Sequence, residues 1–373
     1  MKIKTITCHN VYNYGASLQA YALQTYLQSL GNDVEIIDFQ PYFHQNRYNP
    51  YYISENSKYY SICRKIPLLA CLYNLIKNYS MIKTWGRKKK FDNFTSKYLK
   101  LTQKKYETSK QLQNDPPIAD IYIAGSDQIW NTNSSNGKEP AYYLDFGNQT
   151  TKRYSYAASF AISSIDNKLK DFVKSEVSKL DKVSIREKTG VDILKEMQIE
   201  STQVLDPVFL LSKSDWEKLI LNSKIDNLSP KYILVYDFLY DEQIKETVLY
   251  LKKEYNIPIV SINDFNTLPY ADININDAGP LEFLSLIYHS SIIVSSSFHA
   301  TAFSVIFRKN FYVYPLKGKD NSSRMTDFLY DLNLIERYKS EHISLDNINY
   351  CEVDKLLDKE INSSKLFIEQ ILS

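Results

Sequence analysis

Residues Gly279–Pro315, GPLEFLSLIYHSSIIVSSSFHATAFSVIFRKNFYVYP, hold the pattern that decides the fold. Leu281, Leu284, Ile287 and Tyr288 recur at helical spacing, and Ser291-Ile292-Ile293-Val294 is a short apolar run of buried-strand type. Three serines and Phe298 lead into His299, after which Ala302, Phe303, Val305 and Ile306 resume a helical period. The stretch predicts helix, strand, loop, helix, strand. A strand that ends in hydroxyls, with an imidazole at the first turn of the next helix, favours an anion through backbone N–H groups and the helix dipole. Histidine adds a proton donor or acceptor near neutral pH. Serines before a helix are also ordinary N-caps, so this pattern leaves a purely structural role open.

The same alternation runs outward in both directions. Lys2–Cys8 predicts a strand, Ala16–Leu30 a helix closed by Gly31, and Asp33–Phe39 the next strand, a βαβ opening typical of a parallel α/β domain. Ile118–Ala124, Lys152–Ser159 and Lys182–Glu187 predict further strands, with a helix over Asp166–Leu180 and a turn at Asp206-Pro207. The second half predicts helix Asp215–Leu221, strand Tyr232–Phe238, helix Asp241–Tyr255 and strand Ile257–Ile262 ahead of the quoted stretch. A helix headed by Asn321–Met325 and an amphipathic helix over 353–372 follow. At 373 residues the chain suits two domains, 1–212 and 213–373. The expected class is α/β, two Rossmann-like domains facing across a cleft in a GT-B-like arrangement.

Composition narrows the function. Hydrophobic residues make up 44 % and charged residues 24 %, a globular balance. Cys8, Cys63, Cys71 and Cys351 form no CxxC pair and no metal-ligand spacing, so no metal is expected. No GxGxxG is present, which argues against dinucleotide chemistry and against a bound cofactor of that kind. The N-terminus carries no signal-peptide pattern and no window approaches a membrane span, so a cytoplasmic protein is expected. Net charge is +2, yet Lys58–Lys110 holds 14 Lys or Arg against Asp92 and Glu107. Within that basic stretch Leu68, Leu69, Leu72, Leu75, Ile76, Tyr79, Ile82 and Trp85 recur at helical spacing, followed by Arg87-Lys88-Lys89-Lys90. This predicts either a helix lying on an anionic membrane surface or a core-facing helix with a solvated lysine face. No nucleic-acid motif accompanies the charge.

Two further polar loops follow apolar strands, where open α/β sheets bind ligands. One is His9–Gly15; the other, Gly125-Ser126-Asp127-Gln128-Ile129-Trp130-Asn131, offers a carboxylate, amides and an indole suited to a hydroxyl-rich ligand. His9, His44, His289 and His342 have no evident partners and are expected to be structural or at the surface.

Taken together, Asn13-Tyr14-Gly15-Ala16, Gly125–Asn131, Ser184-Ile185-Arg186-Glu187, Asp206-Pro207, Ser295–Ala302 and Asn321–Met325 resemble the polysaccharide pyruvyl transferase family, in order and across nearly the whole chain. The resemblance implies an enzyme that moves the enolpyruvyl group of phosphoenolpyruvate, a co-substrate, onto two hydroxyls of a sugar, giving a cyclic pyruvate ketal and phosphate. It implies His299 as the proton-transferring residue, as acid for the donor or base for the hydroxyl. Arg186, Arg324, Ser296 and Ser297 are expected to bind the donor, and Asn13, Tyr14, Asp127, Gln128 and Trp130 the acceptor. Many members carry arginine two positions before the histidine, where this chain has Ser297. The acceptor is expected to be a lipid-linked surface or capsular saccharide at the inner membrane face, met through the basic segment 58–110. A nucleotide-sugar glycosyltransferase and a non-catalytic carbohydrate-binding homologue are the alternative readings, and the sequence leaves the oligomeric state open.

Overall fold

The computed structural model describes the chain except residues 45–52, 54–56, 78–84, 222, 224, 226–227, 264–266 and 317–322, and except the side chains of residues 64, 75–77 and 323. Parts of the basic stretch 58–110, and residues 321 and 322 at the head of an expected helix, therefore lie outside the described residues.

Strands β1 (Lys2–Ile6), β2 (Asp33–Phe39), β3 (Leu101–Tyr106), β4 (Ile121–Ala124) and β5 (Lys152–Ser155) form one parallel sheet in the order β3-β2-β1-β4-β5. A small two-stranded sheet, β6 (Ser184–Ile185) with β7 (Thr202–Gln203), follows. Strands β8 (Ile233–Tyr236), β9 (Ile259–Ile262), β10 (Ile273–Ile275), β11 (Ile292–Ser295) and β12 (Asn310–Val313) form the second parallel sheet, β10-β9-β8-β11-β12. The two sheets share one strand order, the Rossmann-like pattern. The central strands β4, β8, β9 and β11 are buried along their whole length, as parallel strands covered on both faces must be, which is why they are apolar runs. The edge strands β3 and β10 carry LTQKKY and INI, too polar and too short to stand out as strands.

The helix Tyr14–Ser29 joins the halves. Its Tyr14 ring stacks on Phe283 at 4.5 Å and 6°, and its hydroxyl donates to the Ala278 carbonyl at 3.1 Å. Tyr14, Leu18 and Ala22 share one apolar cluster with Trp216, Phe283 and Phe303 of the second half. The final helix, Tyr350–Leu372, crosses back: Phe367, Ile368 and Ile371 pack with Ile3, Leu23 and Tyr156, and Ser364 accepts from the Leu205 amide at 2.9 Å.

The basic segment corrects one expectation. Arg87-Lys88-Lys89-Lys90, expected as an open cationic run, opens the helix Trp85–Tyr98, and most of it is spent on internal contacts. Arg87 is buried, donates to the Tyr12 carbonyl at 2.6 Å and lies 4.5 Å from the Phe91 ring centroid. Lys90 pairs with Asp277 at 3.1 Å and Glu282 at 3.4 Å, tying this helix to the second half. In the helix Pro67–Lys77, Leu68 and Leu72 are 68 % and 48 % exposed, while Ala70 is buried in a cluster with Ile53 and Cys63. Among the described residues no helix is long and apolar enough to cross a membrane.

Candidate active site

The loops after β1, β4, β8 and β11 converge on a cleft of about 790 Å³ between the sheets. These are the central strands flanking the point where each strand order reverses, which is where open α/β sheets bind ligands. The volume falls within the range of small-molecule sites.

The wall from the second half starts at the serine run. Ser295 donates to the Tyr236 carbonyl at 3.0 Å and accepts from the Ser297 amide at 2.9 Å, fixing the turn out of β11. Ser297 is the N-cap of the helix Phe298–Ile306 and accepts from the Ala300 amide at 3.4 Å. Ser296 is buried, and its hydroxyl has no partner. His299 stands in the first turn of this helix with its side chain 9 % exposed, lining the cleft. Its ring reaches across to the first half: a Cβ at Gly15 would fall 1.9 Å from its Nδ1. Glycine at 15 is therefore a space requirement, the physical content of the Asn-Tyr-Gly-Ala segment.

Behind His299 lies Asp206. Its Oδ2 accepts from Arg186 Nη1 at 2.7 Å and from Ser126 at 3.2 Å, and lies 3.4 Å from His299 Nε2; its Oδ1 accepts from the Val208 amide at 3.1 Å. Burial pushes this carboxyl up, but His299 and Arg186 outweigh it and hold Asp206 well below the usual carboxylate range. Asp206 thus provides a fixed counter-charge for His299 whenever the imidazole carries a proton. The Asp-Pro signal predicted only a turn, and the structure keeps that role, since Asp206 also caps the turn Pro207–Leu210. What the sequence could not show is that its second oxygen joins Arg186 to His299 across ~90 residues of chain, because that pairing is made by the fold.

Arg186 was expected on the donor. The structure instead places it behind the cleft, 2 % exposed, as the partner of Asp206, with the Phe298 ring 4.8 Å from its guanidinium. Neighbouring Glu187 serves the backbone: its Oε1 accepts from Ser159 Oγ and from the Phe160 and Ala161 amides at 3.1, 2.8 and 3.0 Å. Arg324 does line the cleft. Turned with its oxygen toward the guanidinium, the Gln128 amide accepts from Arg324 Nη1 and Nη2 at 3.1 and 3.0 Å. Arg324 Nε is buried without a partner, and no carboxylate pairs with this arginine among the described residues. Burial and the nearby Arg186 charge pull Arg324 down to about 10.

The wall from the first half is chemically different. Asn13, Asp127, Gln128 and Asn131 line it, together with Asn133, Ser134, Asn136 and His44. Asn13 is also the N-cap of its helix, accepting from the Ala16 amide at 3.2 Å. The loop 131–137 is folded tightly on itself, since a Cβ at Gly137 would lie 2.4 Å from the Asn131 carbonyl carbon. His44, expected to be structural or at the surface, faces this wall, with Nε2 2.6 Å from Asn136 Oδ1 and Nδ1 3.4 Å from the Tyr142 hydroxyl. Burial holds it at about 4, hence neutral. Two expected acceptor contacts are absent from the wall. Trp130 is wholly buried, stacks on Tyr143 at 5.3 Å and donates to the Tyr142 carbonyl at 2.9 Å, leaving no face for a sugar. Tyr14 is buried in the packing between the halves. Large aromatic rings in polar motifs were the misleading signal, because burial satisfies them well. Among the described residues no group of His, Cys, Asp and Glu is placed to hold a metal ion.

Two facing Rossmann-like domains thus place a histidine–aspartate–arginine cluster and Arg324 on one wall of the cleft, and amides with Asp127 on the other. A family model, polysaccharide pyruvyl transferase, matches residues 13–317, and the chain belongs to that family. No curated protein matches it. Among solved structures it is similar to the UDP-GlcNAc 2-epimerase of Methanocaldococcus jannaschii, at 12 % identity and TM-score 0.48 over 97 % of this chain and 93 % of that one. A similar likeness holds to the Neisseria meningitidis UDP-GlcNAc 2-epimerase bound to UDP-GlcNAc, at 13 % and 0.43 over 97 % and 100 %.

Proposed function

We propose that this protein transfers the enolpyruvyl group of phosphoenolpyruvate to two hydroxyls of a saccharide, forming a cyclic ketal. The observation that carries the reading is the unpartnered polar set on one wall: Arg324 Nε and Ser296 Oγ, buried and unsatisfied, beside His299. Buried donors without acceptors are costly, and a carboxylate or phosphate oxygen would satisfy them. In this reading Arg324 supplies the positive charge that relatives place two residues before the histidine, where Ser297 caps the helix instead. His299 protonates the methylene carbon of the donor, and Asp206 compensates the imidazolium beforehand. The amide wall, with Asp127 in it, then holds the uncharged sugar.

Titration calorimetry with phosphoenolpyruvate tests this. Wild type should bind it, and Arg324→Met should weaken binding about 10- to 100-fold, the range for one charge-assisted hydrogen-bonding group. Thermal protection by a nucleoside diphosphate with none by phosphoenolpyruvate would favour a nucleotide-sugar glycosyltransferase. Sugar binding without turnover of any donor would indicate a carbohydrate-binding homologue. The lipid-linked acceptor and the inner membrane face belong to the same proposal, supported by exposed Leu68 and Leu72 within the basic segment. Vesicle co-sedimentation checks that part: binding should need anionic lipid and should fall in Leu68→Ser/Leu72→Ser.

A further inference from the structure

The ketal reaction needs a place for the protons of the acceptor hydroxyls, and the cleft offers few. Asp206 is enclosed by Arg186, Ser126, His299 and the Val208 amide. Both ring nitrogens of His44 are within hydrogen-bonding distance of neighbours. The Cys8 thiol is pushed up by burial and keeps its proton. Asp127 is the exception.

Its carboxylate lines the cleft and makes neither a hydrogen bond nor an ion pair among the described residues. It shares the cleft with His299 and His44, and its neighbour Gln128 reaches Arg324 at 3.0 Å. Its backbone sits at φ +76°, a conformation that non-glycine residues seldom adopt. The strain is held in place by two backbone hydrogen bonds to the Asp127 carbonyl, from Ile129 at 2.8 Å and Ser159 at 3.1 Å. An unpaired carboxylate in the lining of a cleft, on a backbone held at positive φ, fits a functional position.

We infer that Asp127 is the general base that takes the proton of the attacking saccharide hydroxyl, opposite His299 as the acid. The inference rests on the pyruvyl transfer proposed above. His299 gives a proton to the methylene carbon, the C=C electrons form the new C–H bond, and the central carbon becomes an oxocarbenium ion. The first hydroxyl oxygen bonds to that carbon and its proton passes to Asp127. The bond from the central carbon to the phosphate oxygen then breaks with both electrons on oxygen, and phosphate leaves with the proton from Asp127. The second hydroxyl closes the ring and returns its proton to His299. One phosphoenolpyruvate and one diol become one ketal and one hydrogen phosphate, and both residues regain their starting states.

The test compares wild type, Asp127→Asn and Asp127→Gly, two substitutions that tolerate positive φ and so keep the turn. Phosphoenolpyruvate affinity is measured by calorimetry, and turnover by phosphate release with mass detection of the ketal. Asp127→Asn should keep melting temperature and donor affinity within about three-fold of wild type and lose about 10²- to 10⁴-fold in kcat, the range for a general base. Formate, but not chloride, should restore part of the turnover of Asp127→Gly, which a purely structural carboxylate would not allow. Retention of more than a tenth of kcat in Asp127→Asn would overturn the inference. So would donor affinity falling in step with kcat, which would make Asp127 a counter-ion of Arg324. Wild type that neither binds phosphoenolpyruvate nor releases phosphate would remove the pyruvyl reading itself, and is distinguished because failure of Asp127 alone leaves wild type active.

Discussion

The two walls of the cleft are built on sheets of the same strand order, yet one holds buried charge and the other does not. On the second-half wall His299 and Arg324 meet the Asp206–Arg186 pair behind them, and several polar atoms, Arg324 Nε, Ser296 Oγ and two guanidinium nitrogens of Arg186 among them, have no hydrogen-bond partner among the described residues. On the first-half wall the cleft is lined by amides, a neutral imidazole and the half-buried Asp127 carboxylate, and several of these groups are bonded already, as Asn136 is to His44 and Asn131 to the Asn133 amide. The difference suits what the proposed reaction asks of each wall. Desolvated cations with spare donors are unstable alone and gain from an anion; paired amides are stable alone and exchange hydrogen bonds readily with sugar hydroxyls.

The contrast can be broken most forcefully at Asp206. Asp206→Asn removes the closer of the two carboxylates that face buried Arg186, leaving only Glu187 at 4.0 Å, so stability should fall by about 3 kcal/mol, read by urea unfolding at pH 7. The sign with pH follows from the depressed carboxyl. Its contribution is present above the ordinary value of 3.8 and is lost as pH falls below it, a dependence the variant should lack.

The amide wall should respond to acid in a different window. His44 lies at about 4 in the folded chain against 6.5 unfolded, so its folded environment is favourable above 6.5 and becomes unfavourable as pH falls from 6.5 to 4. Unfolding free energy should drop by about 3 kcal/mol through this group across that window, and His44→Asn should flatten it. Where the walls meet, Gly15→Ala should displace the His299 ring, whose Nδ1 would lie 1.9 Å from the new Cβ. A shift of that kind should lower kcat about 10²-fold with little change in the folding midpoint. The smallest effect is expected at Trp130→Phe, which removes the hydrogen bond to Tyr142: about 1 kcal/mol of stability and no change in acceptor KM.

The comparison also shows what the sequence could carry. The apolar runs at 121–124, 233–236, 259–262 and 292–295 announce buried parallel strands because burial on both faces demands continuous hydrophobicity. His299 and Arg324 were legible because each sits where a strand or loop gives way to a helix, in segments that resemble a family. Arg186 was legible as a functional residue but not in its role, since its pairing with Asp206 is a tertiary contact that no local pattern encodes. Tyr14 and Trp130 misled for the opposite reason, their rings filling space between packed elements. His44 and the Asn133–Asn136 loop were missed because amides in irregular segments carry no period.

The central claim is that the charged wall activates phosphoenolpyruvate through His299. It is tested most directly by sugar-dependent phosphate release from phosphoenolpyruvate, with mass detection of the product, in wild type and His299→Ala. The account predicts a pyruvate ketal on the saccharide and about a 10³-fold loss of kcat in the variant, with donor binding retained through Arg324. Wild-type binding and turnover that persist unchanged in His299→Ala would contradict it, as would a chain that binds no phosphoenolpyruvate at all.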